Sequence, residues 1–377
     1  MEEGRIGILT FHCSDNYGAM LQAYALKKYL LLEGIKAAIV PYAPPFMTGR
    51  HWWFPYVPNK GWAGCLEWAY GWKMHLSMRG DFFRQRANMK YFRRKYLTEE
   101  GKRTLYLSSQ LKELAYSYYI VGSDQIWNPV ITCGLRKEYF GAFGNRYKKK
   151  VIAYAASLGG VKLAAEYEEQ LAELLSHVDA VSVREEEAVS YIQKFYQGEV
   201  LAVLDPVFLL EKEQWQEIEK IREEDGYVLV YLTEENRELD DYAERLARKR
   251  NLAVIELGLN KRKTDMRWRT DYTAGPAEFL GYIHKADYVV TNSFHAIAFS
   301  ILYRKQFIAF VHRTFGSRTQ NILNICGLEN RIYRTDADID SRIEWDKVEM
   351  RIQRYRHRSE NFLKKNIPGD AYRRNRP

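Results

Sequence analysis

Cysteine is scarce in this 377-residue chain: there are four, Cys13, Cys65, Cys133 and Cys326, with no C-x-x-C pair and no histidine at metal-ligand spacing. A disulfide framework and a structural zinc are therefore not indicated, and a reducing, cytoplasmic setting fits. Long hydrophobic runs are missing as well. No stretch approaches the roughly 20 apolar residues that a membrane-crossing helix needs, and no basic–apolar–small signal opens the chain. No G-x-G-x-x-G follows a strand-like segment, and neither a Walker loop nor H-E-x-x-H occurs, which makes dehydrogenase, kinase-type nucleotidase and zinc-hydrolase chemistry poor candidates. Zinc-finger, RNP-like and helix-turn-helix signatures are absent too, so nucleic acid is not expected as a partner.

What is present is an ordinary globular composition, 46% hydrophobic and 28% charged, in a chain long enough for two cores. The net charge of +9 points to an acidic partner, either a phosphorylated substrate or an anionic membrane surface. Strand-like and helix-like segments alternate in two series, the pattern of mostly parallel sheets covered by helices. The first series places strands at Arg5–Phe11, Ala37–Pro41, Tyr118–Gly122, Val151–Ala156, Ala180–Val183 and Val200–Leu204, and helices at Tyr17–Leu32, Leu163–Ser176 and Glu185–Phe195. The second places strands at Tyr227–Leu232, Ala253–Leu257, Tyr288–Asn292 and Gln306–Phe310, with helices near Leu239–Arg250, Ala277–His284, Ala296–Tyr303 and Thr319–Cys326. Asp205-Pro206 breaks the chain between them, is read as structural, and puts a boundary near residue 207. The expected architecture is α/β, with Rossmann-like domains at 1–207 and 208–343 and a charged helix with a basic tail over 344–377. Beyond Pro368 a solvated, frayed end is expected.

Pro44 to Glu100 fits neither series and reads as an insertion in the first domain. Ten Lys and Arg stand against four acids there, a net +6, and Trp52, Trp53, Phe54, Tyr56, Trp62, Trp68, Tyr70 and Trp72 are interleaved with the cations. Such a surface suits anionic headgroups or a sugar ring, and peripheral contact at the inner membrane face is one expectation. A helical insert whose aromatics pack on the first domain is the other.

The opening Arg5-Ile6-Gly7-Ile8-Leu9-Thr10-Phe11-His12-Cys13-Ser14-Asp15-Asn16-Tyr17-Gly18 is a β run that breaks into a polar turn and then a helix. Asn16 and Gly18 are expected in left-handed backbone conformations, with the free N–H groups of the helix start facing an anion. The segment resembles the opening of the polysaccharide pyruvyl transferase family. Gly122-Ser123-Asp124-Gln125-Ile126-Trp127-Asn128, Ala153-Tyr154-Ala155-Ala156-Ser157-Leu158-Gly159, Ser182-Val183-Arg184-Glu185 and Thr291-Asn292-Ser293-Phe294-His295 continue the resemblance in the same order. It implies a GT-B-like fold and an enzyme that moves pyruvate from phosphoenolpyruvate onto a sugar, usually as a ketal. The acceptor would be a cell-surface polysaccharide or a lipid-linked glycan, and neither cofactor nor metal is required.

That chemistry needs a cationic clamp, an acid for the methylene carbon and a base for the hydroxyls. Arg184 follows a short apolar strand, where a guanidinium can hold a carboxylate or phosphate through paired N–H bonds, and the resemblance assigns it to donor binding; pairing with the neighbouring glutamates is its structural alternative. His295 follows another strand and suits proton transfer near neutral pH. The family carries Arg-Leu before this histidine, whereas Ser293-Phe294 stand here, so Ser293 occupies a donor-site position and a cation must come from elsewhere, with Arg318 as the candidate. Asp124 is a candidate base or else a helix cap. His12 is a possible second acid or base, and Asp15, Asn16 and Tyr17 are candidates for the acceptor side. A GT-B glycosyltransferase using a nucleotide-sugar donor is the rival enzyme, and a non-catalytic glycan- or lipid-binding module the third possibility.

Overall fold

A computed structural model describes residues 4–48, 62–143, 149–160, 162–223, 225–259, 262, 266–312, 316–334 and 339–372. The first sheet comprises β1 (Ile6–Leu9), β2 (Ala37–Ile39), β3 (Tyr118–Val121), β4 (Lys150–Ala156), β5 (Ala180–Val183) and β6 (Val200–Ala202), in the order β2-β1-β3-β4-β5-β6. The second comprises β7 (Tyr227–Tyr231), β8 (Ala253–Leu257), β9 (Arg269–Asp271), β10 (Tyr288–Thr291) and β11 (Gln306–Ala309), in the order β11-β10-β7-β8-β9. All their pairings are parallel. The central strands Ile6–Leu9 and Tyr227–Tyr231 are buried along their whole length, as strands covered on both faces must be. The winding reverses between β1 and β3 in one sheet and between β7 and β10 in the other. At such points the carboxyl ends of the strands leave a crevice. The chain thus has the two-Rossmann GT-B-like architecture.

Nine helices of seven or more residues are found among the described residues: α1 (Tyr17–Leu32), α2 (Trp62–Phe92), α3 (Glu168–Leu175), α4 (Glu186–Ile192), α5 (Arg237–Arg250), α6 (Pro276–Lys285), α7 (Phe294–Leu302), α8 (Ser317–Cys326) and α9 (Trp345–Asn366). Helix α1 begins at Asn16, whose extended backbone (φ −134°, ψ 129°) and side-chain oxygen, accepting from Ala19 N at 3.1 Å, make an N-cap. Asn16 is therefore not left-handed, and Gly18 sits inside the helix. Tyr17 joins the two units: its ring stacks on Phe279 at 4.9 Å and its hydroxyl donates to the Ala274 carbonyl at 3.2 Å.

The insertion is built around α2, which bridges the two units. One face buries Phe82, Gln85, Met89 and Phe92, with Gln85 Nε2 donating to the carbonyls of Gly258 and Tyr272 at 3.1 and 2.9 Å and Asn88 Nδ2 to that of Thr273 at 2.8 Å. Beyond its end, Arg93 donates to the Cys13 carbonyl at 3.1 Å and pairs with Asp15 at 2.6 Å, so it fastens the loop after β1. Arg50, Trp52, Trp53, Phe54, Tyr56 and Lys60 lie outside the described residues, as do the side chains of Tyr70 and Trp72.

The terminal helix α9 packs back on the first unit. Leu204 N donates to Ser359 Oγ at 2.9 Å, and the buried Arg356 donates through Nε to the Phe208 carbonyl at 2.6 Å. Chain beyond Pro368 is not frayed as far as residue 372: Tyr118 donates its hydroxyl proton to Asp370 at 2.6 Å, and Tyr372 bridges Ile35. Arg373 to Pro377 lie outside the described residues. Arg356→Met keeps the packing but orphans a buried carbonyl, a loss of about 1–3 kcal/mol. Urea titration should show a lower midpoint with an unchanged slope, the slope times the midpoint shift equalling that loss.

Candidate functional site

The two switch points face each other across a crevice of about 440 Å³. The first-sheet side offers Phe11, Phe46, Met47, Val130 and Ile131 together with Asp124 and Gln125; the second-sheet side offers Thr233, Asn292, Ser293, His295, His312 and Arg318. One wall is thus largely apolar, the other polar and cationic. Among the described residues no group of three or more His, Cys, Asp or Glu is placed to hold a metal ion.

Asp124 reaches the crevice because the chain turns sharply after β3. Gly122 has φ 114°, and a Cβ there would stand 2.2 Å from the Tyr154 carbonyl oxygen, so only glycine fits. Asp124 itself lies in the left-handed region at φ 70°, with its carboxylate accepting from Gln125 N at 2.8 Å. The short helix that follows, Pro129–Thr132, is capped by Asn128 instead, so Asp124 is not its cap.

His295 is presented by the first turn of α7, whose cap is Ser293: its hydroxyl accepts from Ala296 N at 3.5 Å. The imidazole presses on α1, where a Cβ at Gly18 would lie 1.9 Å from His295 Nδ1. Gly18 is needed for this close approach, not for a left-handed turn. Burial lowers the His295 pKa; Asp205 and Asp124 oppose the shift, while Arg184 and Arg318 add to it.

Arg184 emerges from the end of β5 but does not line the crevice. Its Nη1 donates to Asp205 Oδ2 at 2.7 Å, its Nε to Glu185 Oε1 at 3.3 Å, and the Phe294 ring covers it at 4.8 Å. Burial alone would lower the Arg184 pKa, but Glu185, Asp205 and Asp124 raise it above the usual range. The expected paired grip on a donor is thus replaced by pairing inside the protein. Arg318, at the start of α8, is the arginine that does line the crevice. Turned with its oxygen toward Arg318, the Gln125 amide accepts from both terminal nitrogens at 3.1 and 3.2 Å. Burial, and then Arg184, depress the Arg318 pKa to about 10, which leaves it charged at neutral pH.

Besides Arg184, three of the expected side chains are not brought to the crevice. His12 is buried with Nδ1 3.2 Å from the Thr10 carbonyl, and burial with Arg93 lowers its pKa to about 4, so it stays neutral and enclosed. Asp15 is taken by Arg93, and Tyr17 by Phe279 and Ala274. Asn16 lines the crevice, although its side-chain oxygen is occupied as a cap. Sequence reasoning missed Asn292, Thr233 and His312 on the polar wall, and above all Asp205. Asp205 does cap the turn after β6, accepting from Val207 N at 3.1 Å, but its other oxygen faces Arg184, Ser123 and His295. In the sequence the Asp-Pro pair signalled only a structural break between the two series.

A family profile described as polysaccharide pyruvyl transferase matches residues 16–314. The chain belongs to the polysaccharide pyruvyl transferase family. No curated protein matches it. Similar solved structures include a functionally uncharacterized protein from Klebsiella pneumoniae, 13% identical over 68% of this chain and 85% of that one with a TM-score of 0.37. The UDP-GlcNAc 2-epimerase of Neisseria meningitidis bound to UDP-GlcNAc is 10% identical over 98% and 95% of the chains, with a TM-score of 0.48. That of Methanocaldococcus jannaschii, in complex with UDP-GlcNAc and UDP, is 12% identical over 93% and 92%, with a TM-score of 0.43. Family membership makes the protein a transferase of pyruvyl groups in polysaccharide biosynthesis, acting on a sugar or polysaccharide.

The two arginines should respond oppositely to neutralisation. Arg184→Met strands two buried carboxylates and should cost about 3–5 kcal/mol. Arg318→Met removes a charge that burial disfavours, and should leave stability unchanged or raise it. Urea denaturation of both variants at pH 7 checks this.

Proposed function

We propose that the crevice transfers the pyruvyl group of phosphoenolpyruvate to two hydroxyls of one sugar, in a cell-surface polysaccharide or its lipid-linked precursor, and closes a cyclic ketal. The supporting observation is the convergence of Arg318, His295 and Asp124 on one crevice at both switch points. Arg318 faces the carboxylate or phosphate of the donor, which its guanidinium can hold through charge-assisted hydrogen bonds. His295 protonates the methylene carbon, which makes the neighbouring carbon an oxocarbenium-like electrophile. The first hydroxyl adds there and gives up its proton, with Asp124 as base. Phosphate departs with the electron pair of its C–O bond, and the second hydroxyl closes the ring and releases a proton. Donor charge favours imidazolium, so the acid forms in the complex although burial keeps His295 neutral in the free protein.

His295→Ala should cut turnover about 10²–10⁴-fold, read as phosphate released from phosphoenolpyruvate. Binding of phosphoenolpyruvate should raise the melting temperature of the parent protein by mass action. Because the donor draws a proton onto His295, its affinity should rise as pH falls, and more steeply in the parent than in His295→Ala. A melting temperature that responds to UDP- or GDP-sugars and not to phosphoenolpyruvate favours the glycosyltransferase instead.

We also propose peripheral contact with an anionic membrane through the outward stripe of α2. Trp62 and Leu66 are 87% and 70% exposed, Phe83 and Tyr91 also face solvent, and Lys73, Arg84, Lys90, Arg94 and Lys95 are exposed beside them. No helix among the described residues is long and apolar enough to cross a membrane. Each cation near an anionic surface contributes about 1 kcal/mol, screened within a Debye length. Arg93 is excluded from this role by its pairing with Asp15. Co-sedimentation should require anionic vesicles, fade with salt and weaken in a Trp62→Ser/Arg94→Gln/Lys95→Gln variant; equal partitioning onto neutral vesicles contradicts it.

A further inference from the structure

The two ring nitrogens of His295 meet different surroundings. Nε2 is turned to Asp205, 3.8 Å from Oδ2, and is shielded from solvent with no hydrogen-bond partner. Nδ1 lies beside the first turn of α1, at the point where residue 18 has no side chain. Asp205 cannot swing away to other partners. Its Oδ2 accepts from Arg184 Nη1 at 2.7 Å and Ser123 Oγ at 3.2 Å, its Oδ1 accepts from Val207 N at 3.1 Å, and its side chain is 0% exposed. It stands in the connection from β6 to β7, so the first unit fixes the carboxylate and the second brings the histidine to it.

We propose that Asp205 is the positioning residue of the transfer reaction: it holds the Nε2–H of His295, fixes the imidazole in that tautomer, and leaves Nδ1 as the nitrogen that exchanges protons with the reactants. This rests on the assignment of His295 as the acid–base group. A neutral imidazole has one N–H and one lone pair, and a buried carboxylate claims the N–H. The charged groups facing the ring are Asp205 from the connection, Asp124 from the turn after β3, Arg184 from the end of β5 and Arg318 from α8. Asp205 is the one in ion-pair reach of a ring nitrogen, and a carboxylate there both orients the ring and stabilises imidazolium. During transfer the Nδ1 proton of imidazolium passes to the methylene carbon of phosphoenolpyruvate, which becomes a methyl group. Nδ1 can then accept a hydroxyl proton, while phosphate leaves with the C–O electron pair. The Nε2 proton stays toward Asp205 throughout. Gly18 acquires a second reason for lacking a side chain, since a methyl group there would cover the working nitrogen.

The test is nitrogen-15 NMR of the full-length protein with labelled histidine, with the His295 signals assigned by their loss in His295→Ala. Above its pKa, His295 should show a protonated Nε2 and an unprotonated Nδ1. In Asp205→Asn, which keeps the size and the cap, that tautomer preference should be lost and the His295 pKa should fall further. Turnover should drop by about 10²–10⁴-fold with little change in the KM for phosphoenolpyruvate. Gly18→Ala, whose methyl group would stand 1.9 Å from Nδ1 and push the ring aside, should lose turnover. A native His295 protonated on Nδ1, or an Asp205→Asn variant with unchanged tautomer and titration, overturns the proposal. The native tautomer decides even if Asp205→Asn does not fold. It is read without substrate, so it stands or falls separately from the identity of the donor.

Discussion

The carboxylate of Asp205 is enclosed where the two Rossmann-like units meet, and a charge without water must be answered by its neighbours. Arg184 answers it at 2.7 Å and is thereby committed to the protein interior. Phe294 covers the guanidinium, so the residue that precedes His295 also seals the pair from the crevice. The arginine that lines the crevice is Arg318, carried by a different helix. This division accounts for two arginines in one cluster with opposite electrostatics: carboxylates sustain the charge of Arg184, whereas burial and Arg184 itself weaken that of Arg318.

Around that joint the chain is fastened from several directions. Tyr17 stacks on Phe279, Trp215 meets Phe299 edge-on at 4.8 Å and Tyr24 at 5.6 Å, and a single cluster of buried side chains runs through both units. Helix α2 ties loops of the second unit to the first, and Arg93 holds the loop after β1. Helix α9 closes the arrangement by returning to the connection at Leu204 and Phe208. The crevice therefore lies between elements whose spacing is set by packing and hydrogen bonds on three sides. Such rigidity lets His295 sit against bare backbone at Gly18.

Strands with apolar runs and helices with clear ends were legible in the sequence. Tyr17–Leu32, Ala180–Val183 and Ala253–Leu257 were bounded as the structure has them, because burial pattern and cap residues coincide there. β9 was not legible: Arg269–Asp271 is polar, largely exposed and three residues long, and pairs only because β8 offers an edge. Ordered motifs brought Asp124, His295 and, through the missing arginine, Arg318 into view. The requirement at Gly18 was misread because a close approach by a residue 277 positions away leaves no local mark. Arg184 and Asp205 depended on the same kind of distant pairing. So did His12 and Asp15, polar residues at a strand end that a helix of the insertion encloses.

By family the protein is a pyruvyl transferase, and our proposal places its chemistry in the crevice where two sheets change direction, between a polar and cationic wall and a largely apolar one. Mass spectrometry of a candidate glycan incubated with the protein and phosphoenolpyruvate tests the central claim most directly. The account predicts a glycan heavier by pyruvate less one water, formed with an equal amount of phosphate and lost in His295→Ala. Transfer of a sugar from a nucleotide-sugar donor, with no pyruvate gained from phosphoenolpyruvate on any glycan tested, would contradict it.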